Sequence, residues 1–348
     1  MDFCFQLSPI ANSHEYTADK VCNEMVEQAV HAEKLGVESV SITEHHMLNI
    51  LMMPAPLQLA VKIAALTKQL NIITSIVVLP LHDMRTYAGD VAIADALCEG
   101  RLLLGVGRGA FKYEMERLGV TMEETQAKFN ESLDVLKALL SEKEVSWDGE
   151  YYKFEPMTLM PRPVQAGGPG MMMAVLNPEG IYHCTKRGFH IQTTPLSGHH
   201  QLLLDQVDAF NRAKEEMGAR GAHLTLSLSR VGFPTKSESD RQRKLDLAYE
   251  YYSRFDNVFT GPGIVEEGII KPLPRKQTRD EMDASLMICS PQEMIDRLGV
   301  YQDLGIDRVI VNSNFGAEQQ EILDTMQLFA EDVMPSFQNI ETDVKKAV

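Results

Sequence analysis

The run VSITEHHML (Val40–Leu48) joins an apolar stretch to three adjacent titratable side chains, Glu44, His45 and His46. Histidine exchanges a proton near neutral pH, so a histidine beside a carboxylate suits general acid–base work. The plainer alternative is a set of loop residues, one His of which satisfies a backbone group. Glu and His also bind metals. Adjacent residues at a strand end diverge, however, and no H-E-x-x-H or His-x-His partner accompanies them, so no metal is expected. A second candidate is GVGRG (Gly105–Gly109). Its spacing is not the G-x-G-x-x-G of a dinucleotide fingerprint, and no acidic residue follows where that motif needs one. Small residues at a strand mouth can let a flat ligand approach the backbone, and Arg108 offers a guanidinium to an anionic group. A tight turn with a surface Arg is equally compatible. A third candidate, LNPEG (Leu176–Gly180), reads as a helix start: Asn177 at the cap, Pro178 in the first position, then Glu179. Its N–H groups could hold a phosphate, or the motif could do no more than cap. No G-x-S-x-G elbow supports serine hydrolysis.

These motifs need elements to position them. Short β-type runs alternate with longer helical patterns along the chain. The strand expectations are Asp2–Leu7, Ser39–Thr43, Ile72–Pro80, Arg101–Gly107, Met171–Leu176, Phe189–Thr194, His223–Phe233 and Arg308–Ser313. Helical periodicity fills the intervals, as at Asp19–Leu35, Pro56–Thr67, Thr86–Leu97, Thr125–Leu140, Asn177–Arg187, His199–Met217, Ser237–Phe255, Ser290–Leu304 and Ala317–Met334. Eight strand-then-helix units predict an α/β protein with a closed (β/α)8 barrel, and the chain 1–348 reads as a single domain. The motifs then fall at the C-terminal ends of strands, where barrels of this kind carry their active sites. The segment Gly261–Ala284 is an extra, inserted before the last βα unit and rich in Gly, Pro and charge. It reads as an active-site lid, with a surface insertion of no role as the alternative.

Composition narrows the class. The chain has 348 residues, 44% hydrophobic and 24% charged, with a formal net charge of −16. That acidity disfavours nucleic acid and anionic membranes. The five cysteines are dispersed, without C-x-x-C spacing, which fits free thiols in a reducing compartment. No signal-peptide pattern or membrane-length apolar run occurs, so a cytoplasmic enzyme is expected.

With these residues placed, the sequence resembles the bacterial luciferase-like, flavin-dependent monooxygenases over nearly its whole length. TEHH (Thr43–His46), VVLPLHDMR (Val77–Arg85), EGRLLLGVGRG (Glu99–Gly109) and MQLFAEDVMPSF (Met326–Phe337) carry the resemblance, in order and on the expected elements. It implies a (β/α)8 barrel that takes reduced FMN from a separate flavin reductase, with O2 adding to the flavin as a C4a-hydroperoxide that oxygenates a small organic substrate. It further implies a homodimer. By resemblance, His45 assists oxygen activation, with Glu44 and His46 as its orienting neighbours. Arg108 binds the flavin phosphate, and Asn177 and Gly180 begin the phosphate-binding helix. Ser75 and Ile76 align with a dipeptide whose cis peptide bond lies beneath the flavin ring. Gly107 replaces a reactive cysteine near the flavin, Leu176 an acidic residue of the light-emitting subunit, and Pro195 an aromatic residue of its pocket. Neither light emission nor a long-chain aldehyde substrate is therefore expected. Two rival readings remain: a deazaflavin-dependent oxidoreductase, and a non-catalytic subunit of a luciferase-like heterodimer.

Overall fold

The computed structural model describes residues 1–11, 16–195 and 200–337. Among the described residues, eight parallel strands close a barrel: β1 (Asp2–Leu7), β2 (Ser39–Ile42), β3 (Asn71–Thr74), β4 (Leu102–Gly107), β5 (Gly170–Ala174), β6 (His190–Thr193), β7 (Leu226–Pro234) and β8 (Arg308–Asn312). Each pairs with the next in sequence, and β8 pairs back to β1 through Phe3↔Val309 and Phe5↔Val311. The expected (β/α)8 barrel is thus present. The helices between strands lie outside it: α1 (Ala18–Lys34), α2 (Pro56–Ala64), α3 (Met84–Leu97), the short α4 (Lys112–Arg117), α5 (Thr125–Ser141), α6 (Pro178–Lys186), α7 (His200–Met217), α8 (Glu238–Phe259), α9 (Arg279–Ser285), α10 (Pro291–Asp303) and α11 (Gln319–Asp332). His199, the expected first residue of the sixth long helix, lies outside the described residues.

Alternation along the strands sorts side chains into two cores. Cys4, Ile73, Met172 and Ile310 point inward and plug the barrel. The opposite faces, among them Phe3, Phe5, Val40, Leu104 and Val309, pack beneath the helices. Met172 is completely buried in the plug.

Two segments differ from the sequence-based expectation, and a third adds strands where none was assigned. The run Ile72–Pro80 is not one strand: β3 stops at Thr74, the Ser75–Ile76 peptide is cis, and pairing to β4 resumes only at Val77–Val78. Leu79–Leu81 then forms a single tight helical turn, consistent with the missing N–H of Pro80. The polar stretch around Trp147 is an antiparallel hairpin, Val145–Asp148 against Lys153–Met157. It docks on α5 through Glu131, which accepts hydrogen bonds from Trp147 Nε1 and from the backbone N–H groups of residues 150–152. The insertion 261–284 is also more regular than its Gly and Pro content suggests. It holds a small hairpin (Val265–Glu266 with Ile269–Ile270) and most of α9, whose start Thr278 and Glu281 cap reciprocally. Beyond it, Met287–Cys289 adds a short strand to the end of β7, which periodicity alone did not reveal.

Candidate active site

Glu44 and its two histidines leave the C-terminal end of β2, as expected. The Glu44 side chain is buried (1% exposed). Its Oε1 lies 2.9 Å from His46 Nε2 and 2.8 Å from His82 Nε2, and its Oε2 accepts from Val78 N–H at 2.8 Å. Burial alone pushes the carboxyl's pKa up, but these hydrogen bonds outweigh it and hold the group below the usual carboxylate range. The same bond to Glu44 raises His46 above an ordinary histidine, against the opposing pull of burial.

His45 is oriented differently from the expectation. Its Nδ1 lies 2.9 Å from Glu114 Oε1, and its ring stacks on Phe111 at 4.3 Å between centroids. Glu114, on α4, is fully buried, and its second oxygen accepts from His46 N–H at 2.8 Å. The orienting partner of His45 is therefore Glu114, while Glu44 serves His46 and His82. Neighbouring side chains in extended backbone point apart, so Glu44 and His45 cannot share one partner set. A carboxylate on Nδ1 favours the tautomer with its proton there and leaves Nε2 for exchange with a ligand. Glu114 was not singled out in the sequence; its only local signal is a carboxylate between the apolar Phe111 and Met115.

At the neighbouring strand mouth, Ser75 Oγ donates to Gln192 Oε1 at 2.8 Å, and Gln192 Nε2 donates to Ser229 Oγ at 2.8 Å. This chain links β3, β6 and β7 across the top of the barrel. The glycines of GVGRG serve the scaffold more than a ligand. A Cβ on Gly105 would lie 1.8 Å from the Thr74 carbonyl oxygen, and one on Gly107 would lie 2.4 Å from Ile76 Cδ1. The room expected for a flat ligand is thus filled here by β3 backbone and Ile76.

Arg108 is exposed, and its one side-chain hydrogen bond among the described residues is long, 3.4 Å from Nη1 to Thr125 Oγ1. Asn177 caps α6, its Oδ1 accepting from Gly180 N–H at 2.6 Å, while Ile181 N–H goes to the Asn177 carbonyl. The Gly180 N–H is thus taken by the cap, and Ile181 makes the first ordinary helix bond. Leu176 is 41% exposed, and its carbonyl accepts from Gln206 Nε2 at 2.6 Å. Because Val106 pairs with Met173, Arg108 and the entry to α6 stand side by side, each just past the ends of β4 and β5. An uncompensated guanidinium there suits a phosphate. Among the described residues no group of three His, Cys, Asp or Glu side chains is placed to hold a metal ion. No described helix is long and apolar enough to cross a membrane.

A cavity of about 1280 Å³ opens above the barrel, between α8, the insertion and the strand ends. Gln6, Ser229 and Asn312 line its inner end, and Tyr251, Tyr252, Phe255 and Phe259 its wall.

Comparison with known proteins agrees with the barrel. The sequence profile of luciferase-like monooxygenases matches residues 4–308. The oxygenase component of a flavin-dependent trigonelline monooxygenase from Acinetobacter baylyi is 26% identical over 344 residues, covering 96% of this chain and 95% of that protein. A coenzyme F420-dependent glucose-6-phosphate dehydrogenase from Nakamurella multipartita is also 26% identical, covering 90% and 92%. In fold, a monooxygenase from Streptomyces bottropensis superposes with a TM-score of 0.84 at 20% identity, covering 97% of this chain and 100% of that one. The oxygenating constituent of 3,6-diketocamphane monooxygenase from Pseudomonas putida, solved with FMN, gives 0.76 at 17% identity, covering 97% and 98%. With a family profile spanning most of its length and the barrel that profile implies, the chain belongs to the luciferase-like monooxygenase family.

Proposed function

We propose that this protein is the oxygenase component of a two-component monooxygenase. It takes reduced FMN from a separate flavin reductase, and O2, to oxygenate a small organic substrate. The observation that carries this reading is the Glu114-held His45 at the mouth of β2, with an uncompensated arginine two strands away. Reduced FMN, when bound, supplies the two electrons with which one oxygen atom enters the substrate and the other leaves as water. Arg108 binds the phosphate, and the Asn177–Gly180 turn shapes the surface beside it. Ser75 and Ile76 would support the ring, with Gly107 packed behind Ile76. His45 holds or passes a proton at Nε2 while Glu114 keeps the Nδ1 side fixed. Glu44 ties His46 and His82 to the Val77–Val78 segment that follows β3 and so braces the β2 mouth. The insertion excludes water as a lid. The working form is a cytoplasmic homodimer.

The oxygenase-component relative is flavin-dependent, which supports a flavin, and the F420-dependent relative defines the rival reading, a deazaflavin-dependent oxidoreductase. Anaerobic titration with reduced FMN and with reduced deazaflavin separates them. The proposal expects reduced FMN to bind, and admission of O2 to give a flavin oxidation slower than in free solution. Arg108→Ala should weaken reduced FMN by about 1.5–3 kcal/mol, the worth of a charge-assisted bond, with the fold intact. Binding of deazaflavin alone rejects FMN. Binding of neither, with activity only on adding a second chain, identifies a non-catalytic subunit.

A further inference from the structure

The cavity above the barrel carries a cation that no carboxylate among the described residues neutralises. Arg230, on β7, lines it and is half-buried. Its Nη2 donates to the Ser285 carbonyl at 2.9 Å. Its Nε is shielded from solvent and has no partner, and no carboxylate pairs with the guanidinium among the described residues. The other cavity charges are accounted for differently. Arg275 is paired with Asp256 at 2.8 Å, and Glu281 is engaged by the backbone and hydroxyl of Thr278. Lys276, on the insertion, adds a third cation to the lining, against the carboxylates of Asp256 and Glu281. In a chain of net charge −16, this cavity keeps cations in excess. A partly desolvated cation with unused donors is costly unless an anion completes it.

The rest of the cavity describes the body of that anion. Tyr251, Tyr252 and Phe255 form an edge-and-face cluster, with Tyr251 and Phe255 stacked at 5.8 Å between centroids, and Phe259 continues it. Such walls take a flat apolar ring. Burial pushes the Tyr252 hydroxyl up to about 12, so it stays a neutral donor across the working pH range. At the inner end, Ser229 joins through Gln192 to Ser75, so one hydrogen-bonded chain runs from the cavity lining to the residues assigned to the flavin ring. Its volume, about 1280 Å³, exceeds the usual range of about 300–1,000 Å³ for one small ligand, which leaves room for a ring beside a cofactor.

We propose that the organic substrate is an aromatic carboxylate, its acid group held by Arg230 and its ring by the Tyr251–Phe259 wall, with the reacting end toward Ser229. The inference rests on the oxygenase reading of the barrel mouth, and its test is chosen to fail separately. One- and two-ring aromatic carboxylates, 4-hydroxybenzoate and 2-naphthoate among them, are titrated calorimetrically against the matching amides, with and without FMN. At least one acid should bind more than tenfold tighter than its amide. Arg230→Gln should lower that acid's affinity by about 10–100-fold, toward that of the amide, while Arg230→Lys retains part of it. FMN affinity should be the same in all three proteins, which also certifies their folding. The proposal is overturned if acids and amides bind alike, if no acid binds, or if Arg230→Gln leaves the acid unaffected. Loss of the acid in Arg108→Ala but not in Arg230→Gln would place it in the phosphate seat and overturn it as well. Failure of FMN to bind the unaltered protein would instead strike the oxygenase reading, and the acid–amide difference measured without FMN would still stand.

Discussion

The Glu114 carboxylate accepts the His46 backbone N–H with one oxygen and meets the His45 ring with the other, at 2.8 and 2.9 Å. Two roles follow for one buried group: fixing the chain direction after β2 and fixing the imidazole. His45→Ala should cost turnover about 10²–10⁴-fold while leaving flavin affinity near its original value, since acid–base assistance acts on the reaction more than on binding. Steady-state rates read beside flavin titration check it; full coupled turnover in the variant would make His45 structural. The Glu44–His46 contact makes a second residue-level prediction, on pH. His46 is raised above 6.5, so its share of stability is present below that pH and is lost as pH climbs through the higher folded value. Glu44 is lowered below 4.5, so its share is present above that pH and is lost as pH falls through the lower folded value. Stability from this pair should therefore be greatest between about pH 4.5 and 6.5. Thermal melts across pH, with Glu44→Gln flattening the profile, would show it.

At the scale of elements, the insertion 261–284 is fastened at defined points. Asn257 Nδ2 donates to the carbonyls of Ile264 and Lys271, and its Oδ1 accepts from Ile264 N–H. Ile270 N–H donates to Asn49 Oδ1, which ties the insertion to the loop that follows His46. Arg275 is buried against Asp256 with only 5% of its side chain exposed, so it is a poor protease site despite its place in a Gly- and Pro-rich segment. Lys276 is exposed, and trypsin should cut there before Arg275, with bound flavin slowing the cut. Asn257→Ala removes three hydrogen bonds from one buried side chain. It should lower stability by about 1–3 kcal/mol and speed cleavage within 261–284 more than elsewhere. If the insertion is the lid, this variant should also release more hydrogen peroxide per substrate consumed. Tight coupling in the variant, with the loop demonstrably loosened, would reject the lid.

For the whole molecule, the barrel depends on closing its last element onto its first. Phe329 of α11 packs edge-on against Phe3 and Phe5 of β1, with centroids 5.1 and 5.6 Å away, and Phe337 meets Phe3 at 5.6 Å. These rings seal β1 and β8 under the C-terminal helix, far along the chain from the β2 mouth. Phe329→Ala should destabilise the fold by about 3–5 kcal/mol, the usual cost of an aromatic cavity in a core. Denaturant midpoints should fall while the folded fraction keeps its flavin affinity. A fall in affinity matching the fall in stability would mean that the two ends of the barrel are coupled.

The sequence by itself determined the order of the βα units, the barrel, and the strand ends that carry Glu44, His45, His46 and Arg108. Those follow from local periodicity, from caps such as Asn177, and from motif order, all of which are written in neighbouring residues. The cis peptide at Ser75–Ile76 was reached through resemblance and is present. Only the tertiary structure decided the partners. Glu114 stands 69 residues from His45, Gln192 stands 117 from Ser75, and Asn49 meets Ile270 across 221 residues. No local pattern encodes such pairs, because barrel closure, and not spacing along the chain, brings them together. The same holds for Gly105 and Gly107, whose necessity lies in the carbonyl of Thr74 and the side chain of Ile76 on the adjoining strand. It holds too for Arg230: along β7 it is one charge among serines, and only the folded cavity shows that no carboxylate among the described residues pairs with it.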